Sequence, residues 1–180
     1  MPRLLIALGL FAALALTASA ADSKYALTGD NTKVTFVGKK PDGKHTGGFA
    51  KLTGTVTVAD GDLTKTKIEV EIDTDSLYSD DAKLTGHLKN ADFFDVKNNP
   101  KATFKSTKVE KGERGYKVTG DLTLLGKTKP VTFPATITEK DGKVTVAASF
   151  SIDRTDWGMN YGKGKIDDKV ELGIEVAVKK

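Results

Sequence analysis

No cysteine occurs in the 180 residues, so neither disulfides nor thiolate metal ligands are available to this chain. Histidine is nearly as scarce, with two residues, and two histidines make no common zinc site unless carboxylates complete it. There is no Gly-x-Ser-x-Gly elbow and no His-Glu-x-x-His pair. Asp73-Thr74-Asp75 begins like a calcium loop but lacks the glycine and the distal glutamate such a loop needs, so a turn or helix cap is the better account. Carboxylates are plentiful, but a plentiful residue type is not a site. No catalytic residue and no cofactor is indicated. Blocks of like charge are missing too: 28 Lys and Arg interleave with 24 Asp and Glu, for a formal net charge of +4. Nucleic-acid binding needs a concentrated basic face, and a solvated mixed-sign surface accounts for the lysines instead.

Beyond residue 20 no stretch is apolar enough to span a bilayer. Before it, Arg3 supplies a positive start, Leu4 to Leu16 runs without charge, and Ala18-Ser19-Ala20 offers a small-residue cleavage site. That is the secretory signal pattern, and the apolar run is short for a membrane span. The expectation is a signal peptide over 1–20, cleavage near Ala20, and a periplasmic or secreted product. Residues 21–180 then form one domain, large enough for a real core.

What the remainder does have is alternation with period 2. Val34 and Phe36 flank Thr35, and Ile68, Val70 and Ile72 alternate with Glu69 and Glu71. Tyr116 to Leu124, Val131 to Ile137, Val144 to Ile152 and Val170 to Val178 repeat the pattern. Successive side chains of a strand point to opposite faces, so each segment has one dry face and one wet face. Asp60-Gly61, Lys111-Gly112, Gly126-Lys127 and Asp141-Gly142 separate these runs as turn signals, favouring short antiparallel connections. About eight such strands predict an all-β, eight-stranded antiparallel barrel, since closure covers every dry face and leaves no long edge. A packed sandwich is the alternative. Gly54, Gly120, Ala135 and Ala148 lie in the dry rows, and small inward residues leave room for a ligand. Residues 75–95 break the pattern: Leu84, Leu88 and Ala91 have helical spacing, Asp75 or Asp80 is placed to cap, and Asn98-Asn99-Pro100 ends the segment. This predicts a short helical insertion lying across the sheet.

The segment His87-Leu88-Lys89-Asn90-Ala91-Asp92-Phe93-Phe94-Asp95-Val96, followed by Pro100 and Phe104-Lys105-Ser106, resembles the central signature of the YceI-like proteins. His45-Thr46-Gly47-Gly48-Phe49, Ile72-Asp73-Thr74-Asp75-Ser76-Leu77, Thr128-Lys129-Pro130-Val131 and Ile152-Asp153-Arg154-Thr155-Asp156-Trp157-Gly158-Met159 fit in the same order. The resemblance implies a lipocalin-like barrel that holds a polyisoprenoid, isoprenoid quinone or related amphiphile for sequestration or transport. It leaves a homodimer open. Thr85, Asn99 and Leu125 depart from the family pattern, near the cavity mouth or strand ends, and so bear on the headgroup more than on the fold.

The expected ligand-binding residues are Phe36, Phe49, Val56, Leu84, His87, Leu88, Phe93, Phe94, Phe104, Phe133, Arg154, Trp157, Met159 and Tyr161. Apolar pockets and ordinary cores use the same side chains, so each has a plain packing role as its alternative. For His87 and His45 a satisfied structural partner is favoured over a headgroup contact, and Arg154, flanked by Asp153 and Asp156, is expected to make a structural ion pair. The insertion around residues 80–95 is expected to act as a lid. Two other classes of function compete: an enzyme on the same barrel, and a stress or surface-interaction protein with a filled barrel.

Overall fold

Every alternating segment forms a strand in the computed structural model, which describes residues 22–180. The signal-peptide reading of residues 1–20 lies outside the described residues. The strands are β1 (Ser23–Thr28), β2 (Thr32–Lys40), β3 (Gly43–Phe49), β4 (Leu52–Ala59), β5 (Asp62–Asp73), β6 (Leu77–Ser79), β7 (Lys101–Gly112), β8 (Gly115–Leu124), β9 (Lys127–Lys140), β10 (Lys143–Asp153) and β11 (Lys169–Lys179).

Eleven strands, not eight, is the count among the described residues, and the difference has a local cause. Three of the eight long strands are each broken in two: β1 from β2 at 29–31, β3 from β4 at 50–51, and β5 from β6 by a 3-10 turn over Thr74–Ser76. The second and third breaks brace each other. The Lys51 N–H donates to the Ser76 hydroxyl (2.9 Å), the Ala50 N–H to the Ser76 carbonyl (3.2 Å), and the Asp73 N–H to the Lys51 carbonyl (3.1 Å). Gly29 lies against the same corner, where a Cβ would stand 2.2 Å from the Ala50 carbonyl oxygen.

Rejoined across these breaks, the strands pair antiparallel in a ring. β1 and β2 pair with β4 and β3, β4 and β3 with β5 and β6, and β5 with β7. The order continues β7-β8-β9-β10-β11, and β11 returns to β2. Asp60-Gly61, Leu125-Gly126 and Asp141-Gly142 all have positive φ at both positions, as two-residue turns with the favoured hairpin twist require. The turn expected at Gly126-Lys127 therefore sits one residue earlier, and the one expected at Lys111-Gly112 falls at Glu113-Arg114, between β7 and β8.

The insertion contains one α-helix, α1 (Ala82–Leu88), followed by turns. Its cap is Asp81, whose carboxylate accepts the Leu84 N–H at 2.7 Å, rather than Asp75 or Asp80.

Inward side chains divide into two groups. One end of the barrel is filled by Tyr25, Leu27, Val56, Val58, Val118, Val144 and their neighbours. At the other, Phe36, Leu77, Leu88 and Phe93 gather under α1. The small inward residues do not all leave space. A Cβ on Gly120 would meet the Phe104 ring at 2.5 Å, and one on Gly54 would meet the Glu69 carbonyl oxygen at 2.2 Å. The space at Gly120 is occupied by phenylalanine, and at Gly54 by the neighbouring backbone.

Candidate functional site

Between α1 and the filled half lies an apolar cavity of about 190 Å³. Its walls come from the α1-proximal ends of the strands: Val34 and Phe36 of β2, Phe49 of β3, Ile72 of β5, Ala102 of β7, Leu122 and Leu124 of β8, Ile152 of β10, and Val170 and Leu172 of β11. Leu84 and Leu88 of α1, with Phe93 and Phe94 just beyond it, form the roof. Helical spacing puts Leu84 and Leu88 on one face, and the Asp81 cap fixes where that face begins. Phe49 stands between Phe36 and Phe94, tilted to the first with ring centroids 6.2 Å apart and edge-on to the second at 5.5 Å. Lys39, Lys40 and His45 of the β2–β3 hairpin complete the lining at that end with carbon atoms, their nitrogens turned to Glu171, Asp42 and Asp80.

Of the fourteen expected residues, the structure brings eight to this cavity: Phe36, Phe49, Leu84, Leu88, Phe93, Phe94, Arg154 and Met159. The other six lie elsewhere. Val56 is fully buried in the filled half. Phe104 and Phe133 belong to an aromatic tier beneath the cavity, where Phe133 also stacks on Phe150 with centroids 4.2 Å apart. The Trp157 indole is buried beside β8 and β9 and donates its Nε1–H to the Leu122 carbonyl at 3.1 Å. His87 and Tyr161 stand above Phe93, their rings 4.7 Å apart, with His87 Nε2 2.9 Å from Asp92 and Tyr161 about half exposed.

Arg154 reaches the cavity wall without a free donor. Its Nε–H donates to the Asp167 carbonyl, Nη1 to the carbonyls of Met159 and Tyr161, and Nη2 to the Ile166 carbonyl and the Asp168 carboxylate. These five acceptors match the five N–H groups of a guanidinium. The ion-pair partner is Asp168, not the flanking Asp153 or Asp156. Asp153 instead accepts the Thr155 N–H and hydroxyl, which hold its carboxyl below the ordinary value. Arg154 thus fastens the 158–168 loop, which carries Met159 and Ile166 into the cavity wall.

His45 lines the cavity too, though as a neighbour of the hairpin rather than as an isolated imidazole. Its Nδ1 lies 2.9 Å from Asp80, whose other oxygen accepts the Thr46 N–H (2.8 Å) and hydroxyl (3.2 Å). The Thr46 N–H, followed by the His45 contact, holds the Asp80 carboxyl below its ordinary 3.8. A carboxylate with a depressed folded-state pKa stabilises the fold above its unfolded pKa and loses that contribution as pH falls through the lowered value. Below pH 3.8, amide exchange at Thr46 and over 80–88 is therefore expected to accelerate before exchange in the Val56–Val144 core does. Asp80→Asn should remove that early step; an unchanged profile would separate Asp80 from the stability of the roof.

The wall residues with no place among the expected fourteen, such as Leu122, Ile152, Val170 and Leu172, were visible as inward positions. Alternation states which face of a strand is inward, but not which end of the barrel stays open. Ile166, in a loop of lysines, glycines and aspartates, carries no periodic signal.

An antiparallel barrel closed on itself, with one apolar cavity under a helical roof, places the chain in the lipocalin-like class of β-barrels. Within that class the chain belongs to the YceI-like family, whose domain model matches residues 25–178. A UPF0312 protein of Pseudomonas putida strain W619 is 38% identical over 144 residues, covering 72% of this chain and 74% of its own. One from Serratia proteamaculans strain 568 is 35% identical over 136 residues, covering 72% and 71%. Among solved structures, BcnA of Burkholderia cenocepacia has a TM-score of 0.75 at 26% identity, over 81% of this chain and 95% of its own. A polyisoprenoid binding domain from Saccharophagus degradans has a TM-score of 0.69 at 14% identity, over 87% and 98%, a likeness of fold alone.

Proposed function

We propose that this protein is exported and holds the apolar tail of a polyisoprenoid, an isoprenoid quinone or a related amphiphile, for sequestration or transport. The observation that carries the reading is the cavity: its lining is almost wholly hydrocarbon from wall to roof, and Lys39, Lys40 and His45 stand at its β2–β3 hairpin end. Each methylene moved from water into such a space contributes roughly 0.8 kcal/mol, so a tail is held by many weak contacts without a charged anchor. The volume falls below the roughly 300–1,000 Å³ typical of sites for drug-sized ligands, so a long tail fills it with one segment only. The headgroup then lies by Lys39, Lys40 and His45. Membership of the YceI-like family supports this reading, and so does the likeness of fold to the polyisoprenoid binding domain of Saccharophagus degradans.

Carriage is favoured over chemistry because, among the described residues, no carboxylate lines the cavity and the Arg154 donors are all committed to the loop. Titration of the mature protein with a polyprenyl alcohol and with an isoprenoid quinone tests the reading. Saturable 1:1 uptake, with the lipid recovered unchanged, is expected. Conversion of the lipid would transfer the case to an enzyme, and absence of uptake for both lipids would overturn the proposal.

A further inference from the structure

The β9–β10 ladder stops halfway. Pairing runs from Lys140 with Lys143 to Ala135 with Ala148, and beyond that point β9 pairs only with β8 and β10 only with β11. The sequence accounts for the stop. The two-residue Asp141-Gly142 turn makes Lys140 and Lys143 a hydrogen-bonded pair, so such pairs recur at 138 with 145 and 136 with 147. The next would be 134 with 149, but Pro134 has no N–H to donate, and Pro130 follows at the same phase.

The opened strands leave a groove of about 390 Å³ in the barrel wall. Val131, Phe150 and Ile152 face it from inward positions and are only half-buried, whereas Phe133, Ala135, Val144 and Val146, further along the same rows, are buried. Ile152 lines both this groove and the cavity, and the Leu122 carbonyl that accepts the Trp157 indole belongs to a cavity-wall residue. The groove and the cavity thus share Ile152 as a common wall, with Trp157 pinned beside it by the Leu122 carbonyl, along a stretch where no β9–β10 ladder joins the strands.

We infer that the β9–β10 seam is a lateral portal, through which an apolar lipid tail passes sideways into the cavity by displacement of Ile152. The inference rests on the tail-binding reading above and adds the route. An opening between strand edges suits a linear hydrocarbon, since a tail of any length can slide in sideways while α1 stays seated.

The native chain lacks cysteine, so Thr132→Cys with Ser151→Cys places the only two thiols on opposite lips of the seam, at exposed outward positions. Bridging them with a reducible bis-maleimide, and following uptake and release of a fluorescent polyprenyl probe, isolates the route from the site. Bridging is expected to slow both rates by about tenfold or more, with Kd changed less than about twofold and full recovery on reduction, as for a gate rather than a contact. Each single-cysteine variant carrying the same reagent should exchange probe at the unmodified rate. Unchanged rates in the bridged protein would overturn the portal while leaving the binding site standing. A large loss of affinity on bridging would overturn it too, by making the seam part of the site. Failure of the unbridged double variant and of the native chain to take up any probe would remove the binding reading and the portal with it.

Discussion

Arg154→Ala is expected to destabilise the protein by about 3–5 kcal/mol, the range for breaking a buried, fully hydrogen-bonded charge. The guanidinium is 4% exposed and satisfies four backbone carbonyls and the Asp168 carboxylate at once. Truncation leaves those oxygens without donors in a site that a methyl group cannot reach. Arg154→Lys should recover less than half of the loss, because an ammonium offers three donors from one point instead of five from a planar fork. The loop it fastens holds Met159 and Ile166 in the cavity wall, so proteolysis within 158–168 should accelerate along with the loss of stability. Urea denaturation with limited proteolysis checks both. A loss below about 1 kcal/mol, the usual worth of a single hydrogen bond, would mean the five contacts do not act as a clamp.

Ala102→Phe is expected to remove lipid uptake while leaving the fold almost intact. Ala102 is buried on the cavity wall, with its β5 neighbour Ile72 also on that wall. A phenyl ring there enters space a tail would use. Displacing roughly four methylenes at 0.8 kcal/mol each corresponds to a loss of about two-hundredfold in affinity. Because the ring occupies an existing cavity, the change in stability should stay within about 1 kcal/mol. Gly120→Val provides the contrast. It adds less bulk, yet its Cβ lies 2.5 Å from the Phe104 ring and 2.6 Å from the Lys105 carbonyl oxygen, so overpacking of about 3 kcal/mol is expected. Calorimetry and probe titration on the two variants read the outcomes independently. Tight binding retained in Ala102→Phe would place the ligand outside this cavity.

The legible part of this fold was the part written in a local period. Rows such as Val144, Val146, Ala148, Phe150 and Ile152 specify strands and an inward face, and the paired turns specify antiparallel neighbours, which is enough for a barrel. The break at 50–51 escaped because it is set by contacts from another strand, such as the Ser76 hydroxyl against Lys51, whereas Gly29-Asp30-Asn31 is a local turn that the alternation argument passed over. The site was legible where residues lie in the helical insertion, since Leu84, Leu88, Phe93 and Phe94 have no sheet to serve and cover the open end. It was illegible along the strands. Val56 and Phe36 occupy equivalent inward positions, and only closure decides that one meets the filled core and the other the cavity. Arg154 shows the same limit: Asp153 and Asp156 are its neighbours in sequence, but the loop returns Asp168 to it from fourteen residues on. The Pro130 and Pro134 phase was present in the sequence, and becomes readable as a seam once the turn fixes which residues face β10.

Native mass spectrometry of the protein purified from the cells that make it, followed by organic extraction, decides whether the cavity holds a lipid. The expected result is one apolar amphiphile per chain, with an isoprenoid tail, and a ligand-free spectrum for Ala102→Phe prepared in the same way. A native chain that emerges ligand-free, and stays so when polyprenyl and quinone lipids are supplied, would contradict it and return the cavity to the status of incidental space in a filled barrel.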